Sequence, residues 1–369
     1  MQHSYGVRIG YTKAWRGLER AKELAYGTPK DSYMYLPSYM YMLERMNPGT
    51  RTSIHTVDGH FLYSFIAIGA SIISFRRYMR PVIVVDAAHL KGVYEGKIYS
   101  AVCADGNGKI FPLAFGFGPE EGNESWEWFI RRLREAFGRT DDLVIVSDRH
   151  VGIQHAMGVV YPDVPHVFCY VHLKKNLIGN YCKHPSVPIL LKTAMYAYSV
   201  KECDRHLSEI RRISANAYAW LMTVVKRARW ARAYCPNSRY NHMTSNFVES
   251  FNKALNQARK MPITAAHEFY RALLQRWFSE QRAETEAIPS SITTNALQQV
   301  ERTGALVIRC QLSVIRAGDA YSVYHPLEGG ATVTLSTRNC DCRKWDLDGI
   351  PCVHACAAAG YLILLLLVY

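Results

Sequence analysis

No apolar run in the sequence reaches the ~20 residues that a membrane-spanning helix needs; the longest, YLILLLLVY at 361–369, stops well short. A membrane partner is therefore not expected, and the run reads as a core helix cut short or a damaged chain end. The start, MQHSYGVRIGYTKAWRG, also lacks the apolar core of a secretory leader. The 10 cysteines are accordingly expected to stay reduced, in the cytosol or nucleus, rather than to pair as disulfides. Internal repeats and low-complexity linkers are absent, so boundaries must be read from changes of pattern. Acid is the scarcer charge: 31 Asp and Glu against 44 Lys and Arg leave a formal charge of +13. A basic surface of this size favours a polyanionic partner, because it neutralises phosphates and releases their counterions. What is plentiful is core material, 49% hydrophobic and 12% aromatic in 369 residues, which excludes a disordered chain and allows about two or three domains.

Along the chain, KAWRGLERAKELAYG and DSYMYLPSYMYMLERM predict two helices within 12–46, with Asp31 or Ser32 as N-cap of the second. RTSIHTVDGHFLYSFIAIG follows, two β-rich runs flanking Asp58-Gly59, a strong hairpin signal. Three strands, VIVVD (82–86), KIYSAVCAD (97–105) and IFPLAFGFG (110–118), read as an antiparallel meander turned at Asp105-Gly106-Asn107-Gly108. In NESWEWFIRRLREAFG the residues Trp126, Phe129, Ile130, Leu133 and Phe137 fall on one helical face and are core. LVIVSD (143–148), a helix in GIQHAMGVVY and a strand in HVFCYV complete an α/β unit. Residues 173–235 read as helices, followed by further helices at 246–260 and 264–287. ALVIRCQLSVI, AYSVYHP and ATVTLST then look like three strands leading into CDCRKWDLDGIPCVHAC.

Two acids, Asp86 and Asp148, stand just past the ends of buried strands, the edge of an α/β sheet where sites are built. A strand-end Asp can equally cap the next turn. As a pair they suggest a hard divalent cation such as Mg²⁺, held by oxygen ligands. A third candidate is Glu249 in TSNFVESFNKALNQARK, off the apolar face made by Phe247, Phe251, Ala254, Leu255 and Ala258. Its competing reading is a capping box with Asn246, which would give it only a helix-starting role.

Cysteine and histidine occur in two patterns. Cys169-Tyr-Val-His172 offers only two ligands, with His166 at the wrong spacing for a third, so packing beside the site competes with metal or phosphate contact. Lys174 and Lys175 can meet a DNA backbone or form a solvated helix face. Cys340-Asp-Cys342 and Cys352-Val-His354 are different: two tight pairs around a loop with Asp348-Gly349 and Pro351 give a four-ligand set for tetrahedral, structural Zn²⁺. Cys356 is the rival to His354 as fourth ligand.

In this order, DAAHLKG, AVCADGNGKIFPLAFGF, SDRHVGIQHAM, HVFCYVHLKKN and SNFVESFNKAL resemble the Mutator-like transposases of plants, from about residue 10 to about 358. The C-terminal ligands, with the strands before them and Trp345, are similar to the SWIM zinc finger of the same family. The resemblance implies a ribonuclease-H-like α/β core with a helical insertion before the last acid. It also implies a catalytic Asp86, Asp148, Glu249 triad holding Mg²⁺ or Mn²⁺, and DNA strand cleavage and joining. Its further implications are Zn²⁺ on Cys340, Cys342, Cys352 and His354, DNA (terminal inverted repeats and target) and self-association as partners, and a nuclear location.

The expected organisation is a helical region with a hairpin (1–80), the core (81–182), the insertion (183–243) and helices bringing the third acid (244–288). The finger (300–360) and a divergent apolar tail (361–369) complete it. Family members often carry a zinc-binding DNA-recognition region ahead of this part, and their ends are more polar, so a fragment of an element, or a gene model that runs out of frame, is an expectation too. Relatives domesticated as transcription regulators bind DNA without transposing, which keeps a binding protein as the alternative to an enzyme.

Overall fold

The computed structural model describes residues 10–138, 141–287, 292–310, 312–325 and 329–368. Two helices open it, α1 (Tyr11–Tyr26) and α2 (Pro29–Met46). The cap of α2 corrects the expected Asp31 or Ser32. Pro29 occupies the first helical position, where a missing N–H costs nothing, and the Thr28 hydroxyl accepts from Asp31 N at 3.1 Å. Ser32, already inside the helix and buried, instead accepts from Thr264 N at 2.8 Å, at the start of a distant helix.

β1 (Arg51–Val57) and β2 (His60–Ala67) form the expected hairpin. Asp58 (φ 49°) and Gly59 (φ 75°) both take positive φ, as a tight two-residue turn between right-twisted strands requires. After α3 (Gly69–Tyr78) come β3 (Val82–His89), β4 (Lys97–Ala104) and β5 (Ile110–Gly118), antiparallel in sequence order. Then follow α4 (Asn123–Phe137), β6 (Val144–Ser147), α5 (Val151–Val160) and β7 (His166–Phe168). The sheet order is β1-β2-β5-β4-β3-β6-β7, with β3, β6 and β7 parallel.

Period-two alternation explains the apolar run in β3. Ile83 and Val85 face a core built with Trp126, Phe129 and Ile130 of α4 and Ile153 of α5. Val82 and Val84 face a second core with Leu36 and Met40 of α2, and with Phe251 and Tyr270 from the later helices α10 (Asn246–Ala254) and α11 (Ile263–Glu286). β3 is thus buried on both sides, in the middle of a three-layer sandwich.

Between β7 and α10 lies a helical insertion with its own core of Leu173, Leu191, Met195, Trp220 and Trp230. It consists of α6 (Tyr170–Asn180), α7 (Ser186–Tyr196), α8 (Val200–Ile213) and the short α9 (Ala215–Ala219). Regular helix does not continue to 235 as expected. It widens to one π turn at Trp220–Val224 and ends at Lys226, whose φ of 61° no α-helix accommodates.

A second correction concerns ALVIRCQLSVI. Its first half belongs to α12 (Thr294–Cys310), and only Ser313–Ala317 is strand (β8). The helix wins because its start is anchored: Thr293 Oγ1 donates to Gly106 O (3.0 Å) and Asn295 N donates to Asn107 Oδ1 (3.2 Å), while Val307 packs on the C-terminal core. β8, β9 (Ala320–His325), β10 (Gly329–Thr334) and β11 (Asn339–Cys340) make a four-stranded antiparallel sheet, followed by α13 (Lys344–Asp348) and α14 (Val353–Val368). Among the described residues no helix is long and apolar enough to cross a membrane.

A buried charge joins Arg343, which donates to Ala233 O at 3.3 Å, and Ser238, which donates to Leu347 O, in seating the C-terminal module on the insertion. Arg232, 1% exposed, reaches Asp348 Oδ1 at 3.4 Å and donates to Tyr196 O. Tyr198 stacks under the guanidinium at 3.5 Å and donates its hydroxyl to Asp348 Oδ2 at 2.6 Å. Removing one partner of a buried pair strands the other charge, which costs about 3–5 kcal/mol. Asp348→Ala should lower stability by that order in chemical denaturation; a loss under about 1 kcal/mol would show that the contact does not hold the module.

Candidate metal site and zinc centre

Asp86 is the fifth residue of β3, opposite Ser100 of β4. This corrects the expectation that it lies just past the strand. Pairing with β4 carries β3 on to His89, whereas the parallel pairing with β6 ends at Val84–Val146. Asp86 therefore stands where the sheet opens beside β6, and Asp148 follows the last residue of that neighbour. Asp148 Oδ1 accepts from His150 N at 2.9 Å, and His150 in turn caps α5 through Gly152 N. The turn-capping role is thus present in Asp148, but it uses only one of its oxygens.

Glu249 enters from α10, which lies against β3 and β4. The capping-box alternative is not what forms. Asn246 is already helical, the cap position belongs to Ser245, and the Ser245 hydroxyl donates to Glu249 Oε1 at 2.7 Å. One turn further on, Asn252 clamps the helix to the sheet: Ser100 Oγ donates to its Oδ1 at 2.8 Å, and its Nδ2 donates to Asp86 Oδ2 at 2.9 Å. Sequence reasoning missed Asn252, whose only signal is a polar residue three positions after Glu249, on a helix otherwise packed by Val248 and Phe251.

The electrostatics join these acids. Burial raises the Asp86 carboxyl from its ordinary 3.8 to about 7, and Asp148, Glu121 and Glu249 push the same way, with only His172 opposing them. Glu121, which the sequence reading did not single out, is itself paired with Lys97 at 3.0 Å. A largely buried carboxylate beside other carboxylates lacks positive charge, which a divalent cation would supply. Hard oxygen donors of this kind fit Mg²⁺ or Mn²⁺, and Asp86, Asp148 and Glu249 are the residues that would hold it.

Two sets of His, Cys, Asp and Glu side chains among the described residues bring their ligand atoms within 4.8 Å of one another, and the three acids are not one of them. The first is Cys169, His172 and Glu249. Cys-x-x-His is the start of a helix rather than the end of a longer strand: β7 stops at Phe168, Cys169 occupies the cap position of α6, and His172 falls in its first turn. Burial alone would raise the Cys169 thiol, but hydrogen bonds with His172 and Ser245 outweigh it and hold it below the ordinary value. His166 points elsewhere, to Ser147 Oγ at 2.7 Å, and burial lowers its pKa to about 3. Lys174 lies over the Tyr170 ring at 5.6 Å.

The second set is Cys340, Cys342, Cys352 and His354. β11 delivers the first pair and the start of α14 the second. Cys340 Sγ lies 3.7 Å from His354 Nδ1, Ala355 N donates to Cys352 Sγ at 3.4 Å, and Cys340, Cys352 and His354 are buried. Hydrogen bonds from Cys340 and Cys342 press the Cys352 thiol toward the thiolate that zinc requires. Cys356 is outside the set, with its sulfur 3.9 Å from Pro351 O. Three sulfurs and one imidazole in a closed cluster suit structural Zn²⁺.

Two outcomes are expected. Metal-free protein should lose stability as pH rises from about 4 through about 7 while Asp86 ionises, because the raised folded pKa favours the protonated form. Asp86→Asn should remove that decline in denaturation measured across the range; an unchanged slope would show that Asp86 carries no such penalty. At the finger, His354→Ala should abolish bound zinc in elemental analysis and Cys356→Ala should not; the reverse pattern would reassign the fourth ligand.

Comparison with known proteins agrees with this arrangement. The MULE transposase domain matches residues 82–176, and the SWIM zinc finger matches residues 331–363. Protein FAR1-RELATED SEQUENCE 6 of Arabidopsis thaliana is 21% identical over 299 residues, covering 78% of this chain and 40% of that protein. The chain thus spans about two fifths of the length of this curated relative. The PKS-NRPS hybrid synthetase cheA of Chaetomium globosum is 28% identical over 86 residues, 22% of this chain but 2% of that protein. With Asp86 and Asp148 inside the first match and all four finger ligands inside the second, the chain carries a MULE transposase domain and a C-terminal SWIM zinc finger.

Proposed function

We propose that the protein is a DDE-type DNA transposase, in which Asp86, Asp148 and Glu249 hold Mg²⁺ or Mn²⁺ for phosphoryl transfer. The observation that carries the reading is the gathering of Asp148, Glu121 and Glu249 around the largely buried Asp86, whose carboxyl burial and these acids together push up to about 7. Three antiparallel strands followed by two parallel ones, β5-β4-β3-β6-β7, support taking the α/β sheet as a ribonuclease-H-like core, with the region from 183 to 243 as its insertion and 244 to 288 returning the third acid.

Divalent ions held by Asp86, Asp148 and Glu249 would supply the chemistry of in-line displacement at phosphorus, activation of a water or DNA 3′-hydroxyl and stabilisation of the leaving oxygen. The chain's own residues orient that chemistry. Asn252 fixes one oxygen of Asp86, and His150 N fixes one oxygen of Asp148, which limits the rotation of both carboxylates. Exposed Lys91, held by Asn256 at 3.3 Å, and Lys260 lie at the same end of the sheet and suit a DNA backbone. Terminal-repeat DNA as substrate, self-association and a nuclear location belong to the same proposal.

The test is Mg²⁺-dependent cleavage and joining of terminal-repeat DNA by purified protein. Asp148→Ala should remain folded by circular dichroism and lose at least ~10³-fold of activity, since removal of a group that acts on the transition state costs several kcal/mol. Activity equal to the parent would end the triad assignment. A parent that binds the DNA tightly but never cleaves it would favour the DNA-binding regulator instead.

A further inference from the structure

The third acid reaches the site only after the chain has left the sheet, built the whole insertion and returned. A Glu side chain on such a returning helix needs to be placed within a fraction of an ångström to share a metal with two strand-borne acids. The junction where the chain leaves and re-enters is stitched twice. Tyr170 N donates to Met243 O at 2.9 Å, and Ser245 N donates to Cys169 Sγ at 3.2 Å. Cys169 and Ser245 are 0% and 1% exposed, so both contacts are shielded from water.

We propose that Cys169 and His172 are positioning residues for the third acid, acting through Ser245 to fix Glu249 at the metal site. This rests on the reading of Glu249 as a metal-binding carboxylate. Ser245 Oγ lies 3.2 Å from Cys169 Sγ and donates to Glu249 Oε1 at 2.7 Å, so a single hydroxyl, placed by the sulfur, chooses the rotamer of the carboxylate. With Oε1 occupied by Ser245, Oε2 is left for a cation. His172 completes the arrangement from the next turn of α6. A nitrogen of its ring lies within 4.8 Å of both the sulfur and a Glu249 oxygen, so the ring braces Cys169 from the acid side. The positioning role explains why the Cys-x-x-His pair follows β7: it is the first point after the sheet at which the exit can grip the re-entry.

Cys169, His172 and Glu249 also have the ligand types of a zinc site. One Glu249 oxygen, however, is already engaged by Ser245, which favours positioning over ligation. The experiment separates the two. Mn²⁺ binding is titrated by electron paramagnetic resonance in the zinc-loaded full chain, alongside the Mg²⁺ dependence of strand cleavage, zinc content and Tm, for the parent, Cys169→Ala, Cys169→Ser and Ser245→Ala.

Loss of a group that orients a metal ligand weakens metal affinity about 10-fold or more. Cys169→Ala and Ser245→Ala should show that shift in the Mn²⁺ and Mg²⁺ midpoints, with Tm near the parent's, and Cys169→Ser, which keeps an acceptor for Ser245 N, should recover part of it. Unchanged midpoints with a lowered Tm would overturn the proposal, leaving only a structural contact. Two zinc ions per parent chain, falling to one in Cys169→Ala, would overturn it in favour of a metal site. Should Cys169→Ala fail to fold, Cys169→Ser and Ser245→Ala carry the same comparison. A parent that binds no Mn²⁺ would remove the triad reading itself, a result distinct from normal parental binding that the variants leave untouched.

Discussion

The structure turns on a carboxylate buried where it repels its neighbours. A strand sealed on both faces by Ile83, Val85, Val82 and Val84 cannot relax to carry Asp86 into water, so the acid keeps its place at the cost of a raised pKa. Around it Asp148 after β6 and Glu249 from α10 add negative charge, while Asn252 ties it across to β4. A protein selected for stability alone would not gather these groups without a cation, and burial of this kind is a recurrent sign of function.

The finger solves a different problem with the same economy of charge. A small sheet of four short strands buries little, and its core includes Cys340, Cys352 and the alanines of α14. Zinc-type ligation can supply on the order of 10–16 kcal/mol to such a module. The loop between the two ligand pairs also carries Asp348, which neutralises Arg232 deep in the insertion. Folding of the finger and order in the insertion are thereby coupled, and the insertion's far end leads straight to Ser245 and Glu249.

Much of this was legible in the sequence for physical reasons. β-branched runs flanked by turn residues define β3 and β6, Asp58-Gly59 defines the hairpin, and the aromatic spacing in NESWEWFIRRLREAF defines α4. Tight Cys and His pairs define the finger cluster. Other features depend on partners far away in sequence. Asp86 lies inside its strand only because β4 is longer than β6. ALVIRC, apolar and β-branched, becomes helix because the Asp105–Asn107 turn anchors its start. Ser32, expected to cap its own helix, serves α11 instead. Asn252 carried only the weak signal of a polar residue three positions after Glu249, since its role exists only when α10 meets the sheet.

The central claim, that the acids around Asp86 form a divalent-metal site, is tested most directly by diffraction from crystals soaked in Mn²⁺, using its anomalous signal. The account predicts Mn²⁺ bound between Asp86, Asp148 and the free oxygen of Glu249, with Zn²⁺ alone at Cys340, Cys342, Cys352 and His354. Well-occupied zinc in the finger with no Mn²⁺ peak at Asp86 would contradict it.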